Sequence, residues 1–224
     1  MALGFKVVTP TEVEAGYLRG LGEVVVCGVG QAAAARAVET LSEGDRAVVL
    51  AGFCGGLADG LADGLADGLA VGDVVVPAWV IDESGEAMAV ELGDGLSTGQ
   101  TLVTVDAVVT RPAEKRALGE RTGAAAADME SLAFLRACAG RGVAGAVVRA
   151  VSDGVDDALP ASIGEWVTPQ GRSRVSAALG WAGVRPGRLA ELARLKGRAD
   201  KAGAALRAAV IRVAATWPAG GSRV

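Results

Sequence analysis

Three carboxylates lying just beyond apolar runs are the residues of this chain best suited to chemistry. Glu14 follows the run Phe5–Val8, Glu130 follows 124–127, and Asp153 follows 146–151. In open α/β sheets ligands collect beyond the carboxyl ends of strands, so runs ending this way would aim the acids into one crevice. Each acid also has a local explanation. Thr11 with Glu14 three residues on reads as a capping box, Glu130 as an acid opening a helix, and Asp153 as a turn residue. Histidine is absent from the whole chain, which removes Ser-His-Asp and Cys-His catalysis and most zinc sites. Acid–base chemistry near neutral pH then falls mainly to Asp, Glu, Lys, Tyr or Cys.

The elements that must position these acids follow from hydrophobic patterning. Short branched runs predict strands at Phe5–Val8, Glu23–Cys27, Ala47–Ala51, Val74–Ile81 (with Pro77 implying an edge or a bulge), Thr101–Val105, 124–127 and 146–151. Helices are expected after Thr11, from the Gly28-Val-Gly-Gln turn to about Leu41, over Pro112–Arg121, through Leu132, Leu135 and Arg136, and near 161–168, 172–182 and 187–215. Residues 82–100 are turn-rich and acidic. From Gly56 the chain repeats Gly-Leu-Ala-Asp, placing Leu57, Leu61, Leu65 and Leu69 on one drifting stripe; a surface insertion is expected there, with solvated acids rather than a calcium loop.

A chain of 224 residues fits one α/β domain, 1–224, with a full core. No apolar run is long enough to span a membrane, and Met1–Pro10 lacks a signal peptide's charged start and cleavage site, so a cytoplasmic protein is expected. Cys27, Cys54 and Cys138 have no metal-ligand spacing and read as reduced, buried thiols. The net charge of −4 argues against nucleic acid as a partner. It is uneven: Arg185–Arg212 holds eight basic against two acidic residues, a net +6, leaving −10 for the remainder. That basic segment could touch an anionic membrane surface, although packing on the sheet with its charges solvated is the simpler expectation.

Taken in order, the Glu after the first strand, Gly28-Val-Gly-Gln, Ala51-Gly-Phe-Cys-Gly-Gly-Leu, Val71-Gly-Asp-Val-Val-Val-Pro, Ala127-Asp-Met-Glu-Ser and Val148-Arg-Ala-Val-Ser-Asp resemble the nucleoside phosphorylase/nucleosidase superfamily over nearly the whole chain. Residues 82–122, Leu159-Pro160 and Arg185-Pro-Gly-Arg-Leu-Ala-Glu-Leu are most similar to the hopanoid-associated phosphorylase branch, whose substrate is taken to be adenosylhopane. Thr9-Pro-Thr-Glu-Val-Glu suggests futalosine hydrolase as the competitor.

The resemblance implies a three-layer α/β/α fold with a central mixed, twisted sheet. It implies cleavage of the N-glycosidic bond of a purine nucleoside with release of adenine, no cofactor, no metal, and a homodimer or higher homo-oligomer. By the same resemblance Met129 and Glu130 hold the ribose, Asp153 protonates or hydrogen-bonds purine N7, Ser152 and Arg149 support that loop, and Glu14 orients or deprotonates a water. To act as an acid, Asp153 must keep a proton at neutral pH, for which burial and the nearby Asp156 and Asp157 are the expected causes. Gly52 and Phe53 lie in the loop where phosphorylases of the superfamily hold phosphate with arginines and a Ser or Thr. Phe53 replaces that hydroxyl and no Arg precedes it, so water is the expected nucleophile, with phosphate as the alternative co-substrate. Two other classes stay open: a nucleoside-binding protein without turnover, and a nicotinamide-linked oxidoreductase resting on Gly28-Val-Gly alone.

Overall fold

The computed structural model describes residues 3–57, 68–90, 92 and 95–217. In chain order the described elements are β1 (Lys6–Thr9), α1 (Glu12–Leu18), β2 (Val24–Val26), α2 (Gln31–Glu39), β3 (Ala47–Gly56), β4 (Val74–Val75), β5 (Trp79–Asp82), β6 (Ala87–Ala89), β7 (Thr101–Thr104), α3 (Pro112–Thr122), β8 (Ala126–Asp128), α4 (Ser131–Arg141), β9 (Ala144–Asp153), a 3₁₀ turn (Ile163–Trp166), α5 (Val175–Ala182) and α6 (Pro186–Thr216).

The described strands form one mixed sheet. Its path runs β2-β1-β3-β8-β7-β5-β6, with β9 beside β3 and β4 on β9. β3 is the hub: it runs parallel to β1 and β9, and its last residues, Gly55 and Gly56, turn away to pair antiparallel with Ala127 and Ala126 of β8. Because strand side chains alternate between faces, consecutive residues of one strand serve different helical layers. Val8, Val48, Leu50 and Val147 pack under α2 and α4 through Ala34, Val38, Leu132 and Leu135. Val7, Val49, Ala51 and Val148 pack under α1 and α6 through Leu18, Leu206, Val210 and Val213. The result is the expected three-layer α/β/α arrangement.

The structure departs from the sequence pattern at four places. The strand expected to end at Ala51 continues to Gly56, so Gly52 and Phe53 lie in β3 and not in a loop, paired with Arg149 and Ala150 of β9. The run 74–81 is two strands: Pro77 lacks an N–H to donate, so β4 leaves to pair with β9 while β5 pairs with β7. Residues 82–100 hold a short strand, β6, paired antiparallel with β5. The segment near 161–168 is a single 3₁₀ turn rather than an α-helix. Most of the Gly-Leu-Ala-Asp repeat lies outside the described residues; of its leucines, Leu57 and Leu69 are buried. No described helix is long and apolar enough to cross a membrane.

Candidate active site

The carboxyl ends of β1, β3, β8 and β9 open into one cavity of about 670 Å³, lined by Glu14, Phe53, Met129, Glu130, Ser152 and Asp153 among others. Much of the remaining wall is apolar, from Val29, Leu57, Val105, Val108, Val109, Leu159, Ile163 and Val167. A volume of this order accommodates a small organic ligand with room for a substituent.

Glu14 closes the capping box and also lines the cavity. Its Oε2 closes the capping box, accepting from the Thr11 N–H at 2.9 Å and Thr11 Oγ1 at 2.6 Å. Its Oε1 accepts from the Phe53 N–H at 2.7 Å, tying the start of α1 to the end of β3. Burial raises the Glu14 pKa, while hydrogen bonds from Thr11 and Phe53 and the charge of Arg149 oppose that rise.

Glu130 occupies the N-cap position of α4 but makes no cap bond. Asp128 takes that duty, accepting from the Ser131 N–H and hydroxyl, with Thr104 Oγ1 donating to it at 2.8 Å. The Glu130 carboxylate is thereby available to accept from the Gly30 N–H at 2.8 Å. Gly30 has φ 90°, so the Gly28-Val-Gly turn spends a donor on a protein carboxylate. Gly28 is required by close packing, since a Cβ there would lie 2.4 Å from the Pro169 carbonyl oxygen.

Behind these acids stands Arg149, fully buried on β9. Its Nη2 lies 2.5 Å from Asp128 and 3.3 Å from Glu130. It therefore supports the end of β8 rather than the loop after β9. Burial alone would lower its pKa, but Asp128, Glu130 and Glu14 outweigh burial and keep it protonated. Burial pushes the Glu130 carboxyl up to about 7, with Arg149 opposing and Asp128 adding to the rise. Gly52 permits this packing: a Cβ there would sit 2.3 Å from Arg149 Nη1 and 2.8 Å from Glu14 Oε1. The Phe53 ring meets Tyr17, centroids 6.1 Å apart.

Asp153 ends β9 with a different set of neighbours. Ser152 Oγ donates to its Oδ1 at 2.7 Å, and Lys115 Nζ lies 2.5 Å from its Oδ2. The acids expected to crowd it point elsewhere. Asp156 pairs with Arg116, and Asp157 pairs with Arg198 while accepting from the Gly154 N–H. A cation, not a second carboxylate, faces Asp153. Lys115 was not among the sequence candidates, because a Lys between Glu114 and Arg116 reads as part of a solvated helix face. Its burial shares a face of α3 with Leu118, three residues on. Asp128 was visible only as a neighbour of Glu130.

Cys54 and Cys138 are buried, Cys27 is half-buried, and all three are free. Burial first of all raises each thiol's pKa, Cys27 and Cys138 to about 12. Among the described residues no group of His, Cys, Asp and Glu is arranged to hold a metal ion.

A sequence profile described as "Phosphorylase superfamily" matches residues 8–95 and 86–179. The chain belongs to the phosphorylase superfamily, the class that the sheet and its carboxylate-ended strands define. No curated protein gives a significant direct match. Solved structures share the fold at low identity. The 5′-methylthioadenosine/S-adenosylhomocysteine nucleosidase from S. pneumoniae, with a transition-state inhibitor, superposes with TM-score 0.64 at 15% identity, covering 95% of this chain and 98% of that one. The Colwellia psychrerythraea 5′-methylthioadenosine/S-adenosylhomocysteine nucleosidase, in complex with adenine, gives 0.60 at 18%, covering 95% and 96%. Futalosine hydrolase of Helicobacter pylori gives 0.61 at 14%, covering 93% and 97%.

Proposed function

We propose that this protein hydrolyses the N-glycosidic bond of a purine nucleoside, an adenosine with a bulky apolar 5′ substituent such as adenosylhopane, and releases adenine. The observation that carries this reading is the meeting of Glu14, Glu130 and Asp153 in one largely apolar cavity. Breaking an N-glycosidic bond builds positive charge on the sugar and negative charge on the departing base. Glu130 accepts hydrogen bonds from the ribose hydroxyls and its charge stabilises the developing cation, with Met129 packed against the sugar. Asp153, steadied by Ser152, hydrogen-bonds purine N7 and relays a proton to it as the base leaves. Glu14 takes a proton from the attacking water. Arg149 neutralises the acids behind the sugar, and the apolar wall takes the 5′ group.

Water is favoured over phosphate because Phe53, next to Gly52 in β3, lines the cavity with an aromatic ring. A phosphate dianion would enter an apolar site beside two carboxylates, which desolvation and repulsion oppose. The chain works as one domain, without a cofactor, as a cytoplasmic homodimer or higher homo-oligomer.

The test is base release from adenosine and 5′-alkyl adenosines, with and without phosphate. Adenine and free ribose without phosphate are expected, faster as the 5′ group becomes more apolar. Strict phosphate dependence would replace hydrolysis by phosphorolysis. Tight binding with no release would make the protein a nucleoside carrier.

A further inference from the structure

We infer that Lys115 is the proton source behind Asp153, so that the pair acts as one leaving-group acid. This rests on the N-glycosidic cleavage proposed above. Lys115 lines the cavity yet is almost fully buried, 1% exposed. Its ammonium donates to Asp153 Oδ2 at 2.5 Å, to the Gly154 carbonyl at 2.8 Å and to the Asp157 carbonyl at 2.9 Å, which uses all three of its protons. With Ser152 donating to Oδ1, both oxygens of Asp153 accept from the protein. A proton passed from Asp153 to a departing base can therefore be replaced from the Lys115 ammonium directly behind it.

Stability alone does not account for the arrangement. A buried ion pair is commonly no better than a well-packed apolar pair of similar volume. Lysine has a property that the nearby buried arginine lacks: its ammonium can give up a proton.

The step balances as follows. The bond between C1′ and N9 breaks, and its electron pair goes to the base. A proton passes from Lys115 Nζ to Asp153 and from Asp153 to N7. The water oxygen bonds to C1′ while Glu14 takes the water's proton. Solvent then carries that proton from Glu14 back to the Lys115 amine, restoring both groups.

The experiment compares adenosine with p-nitrophenyl β-D-ribofuranoside, whose leaving phenolate needs no proton. In Lys115→Met, kcat on adenosine is expected to fall about 100-fold, as for loss of a general acid, with KM nearly unchanged. The fall on the nitrophenyl riboside should be at least about tenfold smaller. Lys115→Arg keeps the charge but not a releasable proton, and should follow Lys115→Met. Thermal unfolding checks that each variant is folded. The double variant Lys115→Met/Asp153→Asn removes both charges, and should be no slower on adenosine than Asp153→Asn alone. Equal losses on both substrates in folded variants, or an Arg variant as fast as the wild type, overturn the role. A wild-type protein that cleaves neither these two substrates nor a 5′-alkyl adenosine overturns the proposed function, and this role with it.

Discussion

Arg149 and Lys115 are both buried cations, and each approaches a carboxylate to 2.5 Å. They serve the ends of two different strands. Arg149 reaches across to Asp128 and Glu130 at the end of β8, where three carboxylates, Glu14 included, keep it charged. Lys115 comes from α3 and meets a single carboxylate, with two carbonyls completing its shell. A guanidinium gives a fixed charge in a fixed plane, while an ammonium is a charge that can be given away. The sugar needs a steady field around a developing cation, and the leaving base needs a proton. The difference between the two cations matches the difference between those needs.

The comparison breaks or sharpens through substitutions on each side. The largest effect is expected at the base end: Asp153→Asn should lower kcat for adenine release by about 10²–10⁴-fold, read by steady-state kinetics. Arg149→Met should act on stability instead. It leaves buried acids without their cation, and a loss of about 3–5 kcal/mol is expected in denaturant unfolding. Gly52→Ala drives a methyl group into Arg149 and Glu14, for which the same measurement should show about 1–3 kcal/mol.

Glu130 gives a pH signature. Burial pushes its carboxyl up to about 7, and under the proposed function the ionised form steadies the sugar cation, so activity should rise with pH through that value. Stability has the opposite sign. A carboxyl whose folded pKa is raised stabilises the fold most below its ordinary value near 4.5, and that contribution is lost as pH climbs through about 7. Glu130→Gln should remove both slopes. The smallest effect belongs to a surface pair: Lys196→Ala, which breaks the exposed Lys196–Asp200 contact, should cost under about 0.5 kcal/mol.

Much of this was legible from local pattern. The Thr11/Glu14 capping box, the strand ending shortly before Glu130, and Pro112 opening α3 are short-range features, and the structure keeps them, with β9 running on to include Asp153. What stayed hidden depends on tertiary contact. Lys115 looks solvated until Gly154 and Asp157 fold over it, and the acids at 156 and 157 look like neighbours of Asp153 until arginines of α3 and α6 draw them away. The end of β3 is similar. The apolar run stops at Ala51, but pairing with β9 and β8 carries the strand through the glycines to Gly56, because backbone hydrogen bonds do not need side chains.

The central claim, that water attacks the sugar in this crevice, is tested most directly by the oxygen incorporated at C1′. Wild-type protein would be given adenosine in heavy-oxygen water with inorganic phosphate present, and the sugar product examined by mass spectrometry. The account predicts free ribose carrying one heavy oxygen at C1′. Ribose 1-phosphate without the heavy label at C1′ would contradict it.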